Sequence, residues 1–79
     1  MKTYWAVAVE ADSSALVNWY FTLEAAKQLF AEACGDWPAD DINMWAFEMP
    51  NDATKDEITA RADDQMWEHD YTAIEKRPA

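Results

Sequence analysis

The sequence predicts a single α+β domain: a four-stranded, mainly antiparallel sheet with two helices, in the order ββαβαβ. Two observations predict it. The hydrophobic period switches between two and about 3.6 residues, and the switches fall at turn or capping residues. Five tryptophans, three tyrosines and three phenylalanines in 79 residues supply a dense core to a chain short enough to be marginal without one.

From Tyr4 to Glu10 the chain alternates, with Trp5, Val7 and Val9 on one face and Tyr4, Ala6 and Ala8 on the other, which predicts a first strand. Ala11, Asp12, Ser13 and Ser14 read as a turn. Leu16 to Phe21 reads as a second strand with Val17, Trp19 and Phe21 on one face, and the short link predicts an antiparallel hairpin. Thr22 is a candidate N-cap, and Glu24 complements the positive end of the helix that follows. Leu23, Ala26, Phe30, Ala33 and Cys34 share one face of that helix, with Leu29 beside them. Gly35, the only glycine, is expected to end it as a left-handed cap.

Asp36 to Asp41, which contains Pro38, reads as a loop. Ile42 to Met49 is the third strand. Ile42, Met44 and Ala46 oppose Trp45, Phe47 and Met49, so it is expected to be central and covered on part of each face. Pro50, Asn51 and Asp52 break it, and Thr54 with Glu57 has the spacing of a capping box. The second helix is predicted to run to about Trp67 with a narrow apolar face of Ile58, Ala62 and Met66. Tyr71 to Lys76 alternates as a fourth strand, and Arg77, Pro78 and Ala79 read as a tail. Strand order is not legible from the pattern.

Composition narrows the function. Cys34 is the only cysteine, so no disulfide forms within the chain, which fits a reducing compartment. There is no charged-then-apolar leader pattern and no apolar run near ~20 residues, so a cytoplasmic protein is expected. Sixteen acids stand against six bases, a net charge of −10. Between Asp36 and Asp70, eleven acids face Lys55 and Arg61 alone, a local net charge of −9. Such a surface repels nucleic acid and anionic membrane and attracts basic surfaces.

Catalytic and metal chemistry find little support. His69 is the only histidine, and with one unpaired cysteine it falls short of any zinc pattern; it is expected at the surface, at a helix end. There is no calcium-binding loop of the EF-hand kind. Cys34 lies on an apolar helix face and is expected as a small packed residue rather than a nucleophile. The acid pairs Asp40-Asp41, Asp56-Glu57 and Asp63-Asp64 are expected to be solvated, whereas acid/base catalysis needs carboxyls in contrasting environments. One glycine cannot build a phosphate-cradling loop. The expectation is a non-enzyme with no cofactor and no metal.

The second helix carries the functional signal. At about 100° per residue, Asp56 and Asp63 lie together, flanked by Glu57, Asp64 and Glu68, opposite the apolar face. Arg61 is spaced to pair with Glu57. Asp36, Asp40, Asp41 and Asp52 in the adjoining loops add to the negative field. If the helix reaches Trp67, its indole emerges among the acids as a binding anchor; otherwise it folds into the core. Trp37 poses the same question, whereas Trp5, Trp19 and Trp45 fit strand faces. An acid-rich surface also serves solubility, or adaptation to a salty host.

A magnitude points to the partner class. Duplex DNA carries one charge per ~1.7 Å of axis, so ten net charges match about 17 Å of duplex. A globular chain of this length has a radius of gyration of about 12 Å. Its charge density is comparable to that of nucleic acid. In length, α+β make-up, acidity and clustered Asp and Glu, the chain resembles the small acidic proteins that phages use as nucleic-acid mimics, anti-CRISPR proteins among them. The resemblance rests on no sequence motif. It implies a partner that is a basic nucleic-acid-binding protein, with a CRISPR effector subunit as first candidate, in the cytoplasm of a bacterial host. It also implies that Asp56, Glu57, Asp63, Asp64 and Glu68 stand in for phosphates, with Asp36, Asp40, Asp41 and Asp52 as a second cluster. The other expectation is an interaction module, such as an antitoxin or adaptor, that binds through exposed aromatics or a strand edge.

Overall fold

The computed structural model describes residues 1–11, 14–37 and 40–77. Asp12 and Ser13 of the expected turn, Pro38 of the expected loop, and Pro78 and Ala79 of the expected tail lie outside them. The elements follow the predicted order: β1 (Lys2–Glu10), β2 (Ala15–Tyr20), α1 (Leu23–Asp36), β3 (Asp41–Met49), α2 (Lys55–Glu68) and β4 (Ala73–Arg77). The strands form one sheet in the spatial order β2-β1-β3-β4, and every neighbouring pair is antiparallel. The fold class is therefore α+β, as predicted.

β1 and β3 take the centre because both of their faces are apolar. Alternate residues of a strand point to opposite sides, so each of these strands serves two cores. On one side Val7, Val9, Ile42 and Met44 are buried with Ala26 of α1, and Trp5, Tyr20, Leu23, Phe30, Ala33 and Cys34 pack around them. On the other, Tyr4, Ala6, Ala8, Trp45 and Phe47 are buried with Ile58, Ala62 and Met66 of α2. The helices thus cover opposite faces, giving three layers with the sheet in the middle. Ile42, Met44 and Trp45 are fully buried. Each such aliphatic side chain contributes about 1.5–3 kcal/mol relative to exposure.

Local chemistry sets the helix ends, with one departure from expectation. The Thr22 hydroxyl accepts the Ala25 N–H at 3.2 Å and starts α1. The Thr54 hydroxyl accepts the Glu57 N–H at 3.2 Å while Glu57 Oε1 accepts the Thr54 N–H at 2.9 Å, so the capping box closes in both directions. Gly35, however, does not cap α1. The helix runs through it to Asp36, no glycine has positive φ, and the Trp37 N–H still reaches the Ala33 carbonyl at 2.8 Å. The hydrogen-bond ladder continues past the glycine, so no reversal is needed there. The left-handed cap belongs to His69, at φ 54° and ψ 35°, whose N–H meets the Gln65 and Met66 carbonyls beyond α2.

β4 departs too. Met44 pairs with Glu75, but Trp45 pairs with Ala73, so Ile74 is an extra residue on β4 and makes a bulge. The strand starts at Ala73 rather than Tyr71 and includes Arg77, which was expected in the tail. Arg77 opposes Ile42 and donates its guanidinium to the Cys34 carbonyl, which ties β4 to the end of α1. Tyr71 instead stacks on Trp45, with ring centroids 4.0 Å apart and planes 14° from parallel. Among the described residues, no helix is long and apolar enough to cross a membrane.

Candidate functional site

The site is built on α2. Ile58, Ala62, Gln65 and Met66 hold its inner face against the sheet, so its turns present Asp56, Glu57, Asp64 and Glu68 to solvent, with Asp63 half-buried at the side. Thr59 turns towards β2, where its hydroxyl accepts the Trp19 indole N–H at 2.8 Å. The helix reaches residue 67, and Trp67 is 63% exposed on this outer face. Of the two alternatives open for this ring, exposure is the one found. Trp37, just past α1, is likewise exposed.

The negative field of the helix survives intact. Arg61 does not pair with Glu57 as its spacing suggested; it meets Asp70 at 3.7 Å. The reason is local: the Glu57 carboxylate is held in the capping box, and the Thr54 backbone N–H and then its hydroxyl draw its pKa below the usual carboxylate value. Among the described residues, no carboxylate of α2 has a cationic partner within 4.0 Å. No base lies in the last turn of α2, so Glu68 sits at the negative end of the helix dipole with Asp64 one turn before it.

The predicted acids are not one patch. Asp36, Asp40 and Asp41 lie where α1 passes into β3, while Asp52, Asp56 and Glu57 lie beyond the other end of β3. Nine strand residues separate these ends by about 26 Å. Asp36 further belongs to the layer opposite α2. The helix itself spans the gap, because its C-terminal cap returns to the end of the sheet that holds Asp41. There His69 Nε2 lies 3.1 Å from Glu10 Oε1, and Glu10 is registered opposite Asp41 across β1 and β3. Tyr71 adjoins them: burial, then the Glu10 and Asp41 carboxylates, push its phenol pKa up.

Sequence reasoning did not single out Glu10 or Tyr71. Glu10 and His69 are 59 positions apart, and only the pairing of β1 with β3 brings them to one corner. A strand ending in an acid, Val9-Glu10, was the visible signal, but it had no meaning without strand order.

A second surface lies on the α1 side. Leu16, Asn18 and Tyr20 of β2, with Leu29, Glu32 and Trp37, line a groove of about 240 Å³ that α1 leaves open beside the edge strand. Burial, and then Glu32, raise the Tyr20 pKa there. β2 itself carries no charged residue from Ala15 to Tyr20, and Leu16 and the adjoining Phe21 are exposed.

No group of three or more His, Cys, Asp or Glu side chains among the described residues is placed to hold a metal ion. Compared with protein-family models, with curated proteins and with solved structures, the chain matches none.

Proposed function

We propose that this chain is an inhibitor that binds a basic nucleic-acid-binding protein by DNA charge mimicry, of the anti-CRISPR kind that blocks target-DNA binding by a Cas effector. The observation that carries the reading is the outer face of α2, where Asp56, Asp64 and Glu68 point to solvent, Asp63 flanks them, and no cation lies within 4.0 Å among the described residues. Acids at the C-terminal end of a helix oppose its dipole. A stability cost retained there is accounted for if a cationic groove relieves it on binding. The whole chain carries net −10 along a body 37 Å long, about half the charge of the same length of duplex DNA at one charge per ~1.7 Å. The role is one of binding, without catalysis or cofactor. The test is competition. A basic protein captured by this chain from bacterial lysate and eluted by salt is bound to labelled DNA, then titrated with the chain. Displacement of the DNA is expected. A partner that stays on DNA at saturating inhibitor rules the mechanism out.

The second reading is a non-catalytic interaction module that binds at β2. It is favoured by the uncharged edge strand beside an open groove whose walls include Leu16, Leu29 and Trp37. Unpaired strand edges recruit extended segments of other chains. Under this reading Leu16→Lys and Trp37→Ala weaken partner binding and charge reversal on α2 leaves it unchanged; under the first the pattern is reversed.

A further inference from the structure

At the C-terminal end of α2 a cleft of about 310 Å³ opens between the helix and the β1–β2 hairpin, with Glu10, Ala15, Met66, Trp67 and His69 among its walls. Three features of this cleft point to one kind of occupant. Its body is apolar: Met66 is buried at its base and Ala15 is half-buried beside it. Its rim carries the exposed Trp67 indole, a face on which a planar cation stacks. Its polar end is a carboxylate, Glu10, whose side chain is 26% exposed and whose Oε1 meets His69 at 3.1 Å.

We propose that this cleft receives an arginine side chain presented by a protein partner. The inference rests on the partner being basic, as proposed above, and adds the point at which it is gripped. An apolar stem ending in a charged, planar head matches a cleft with an apolar body, an aromatic rim and a carboxylate end. Arginine fits better than lysine, because guanidinium both stacks on indole and forks onto a carboxylate. The volume is at the lower limit of small-ligand sites, which suits one side chain rather than a whole cofactor. His69, which meets Glu10 in the free protein, is exposed on its left-handed cap.

The probe is the peptide acetyl-Gly-Arg-Gly-amide, with its uncharged isostere acetyl-Gly-citrulline-Gly-amide beside it, titrated into the labelled full chain and followed by amide and indole NMR shifts. The arginine peptide is expected to give saturable shifts confined to the Trp67 indole and the amides of Ala11, Ala15 and Met66. The citrulline peptide is expected to bind at least tenfold more weakly, and W67A and E10Q are each expected to lose the arginine response while keeping a dispersed, folded spectrum. Equal shifts from both peptides, shifts spread over all acidic surfaces, or no saturable shift at the cleft would overturn the proposal. The D64K/E68K variant separates this failure from failure of the mimicry. Loss of DNA competition in that variant, with no arginine response in the parent chain, removes the cleft and keeps the mimicry. An intact arginine response with no DNA competition by the parent chain does the opposite.

Discussion

The indole N–H of Trp45 is donated to Oε1 of Gln65 at 3.0 Å, joining a fully buried ring of the central sheet to the one buried polar side chain among the described residues. The bond explains why a glutamine occupies the inner face of α2. A tryptophan at the centre of a sheet brings a donor into the core, and a buried donor without an acceptor costs about 1–3 kcal/mol. Gln65→Leu is expected to destabilise by that amount, seen as a lower urea midpoint at unchanged slope. W45F/Q65L, which removes both partners, should cost less than the two single changes summed. A Q65L midpoint equal to that of the parent chain would mean that the bond carries no weight.

Gly35 gives a prediction whose sign separates two readings of the same residue. It lies inside α1 without positive φ, and a Cβ added there meets nothing within 4 Å. Gly35→Ala should therefore stabilise by about 0.4–1 kcal/mol, through better helix propensity and a less flexible unfolded chain. For a domain this small, each kcal/mol moves Tm by about 4–8 °C. A left-handed cap would yield the reverse, a fall in Tm.

These outcomes mark what was legible in the sequence. Period and capping chemistry are local, so all six elements, the Thr54–Glu57 box and the hairpin were read from short windows. Gly35 misled because glycine after a helix is a preference of composition, whereas the Trp37 N–H bond to Ala33 decides where the helix ends. Arg77 was missed because the Ile74 bulge depends on pairing with β3, which is remote in sequence. Of the candidate site, the outward acids of α2 followed from its period. The corner of Glu10, Asp41, His69 and Tyr71 did not, since it exists only once β1 lies beside β3. Trp67 was undecidable by pattern because one more helical turn determines whether the ring faces water or core.

The capping box couples α2 to acid. Thr54→Ala should cost about 1 kcal/mol, a usual value for a lost hydroxyl cap. The Glu57 half behaves differently with pH. Its folded pKa is lowered, so its contribution is present above the unfolded carboxylate value and disappears as pH falls through the folded one. Glu57→Gln should flatten the stability curve across that acidic window and leave its shape above the window unchanged. Equal acid limbs in the two proteins would contradict the linkage.

Tyr71 sets the alkaline side. Its pKa is raised above 10.0, first by burial and then by Glu10 and Asp41, so the folded state favours the neutral phenol. Stability from this source is complete below the unfolded value and is lost as pH climbs through the folded one. Because Tyr71 is stacked on Trp45, ionisation should also alter Trp45 fluorescence. Phenolate absorbance followed against pH is expected to show two late-titrating tyrosines, Tyr20 and Tyr71, of which the Tyr71 transition moves earlier in E10Q and is missing in Y71F. No change in E10Q would mean that burial, with Asp41, holds the shift without Glu10.

The acids of α2 yield the prediction that distinguishes service to a partner from service to solubility. Glu68 lies at the negative end of the helix dipole, Asp64 one turn earlier, and no base is in the last turn. Reversing both in D64K/E68K exchanges an unfavourable charge–dipole interaction for a favourable one, worth about 0.3–1 kcal/mol per site at low salt. It also relieves repulsion in a chain of net charge −10. The variant should therefore unfold at a higher temperature than the parent chain in dilute buffer. The difference should shrink as salt brings the screening length to about 10 Å at 0.1 M. In the same variant, competition with DNA for the basic partner should weaken at least tenfold. A gain in stability together with a loss of binding identifies a surface kept at the expense of the fold. If the variant is more stable and still displaces DNA as well as before, the acids of α2 serve solubility, and the second reading at β2 takes precedence.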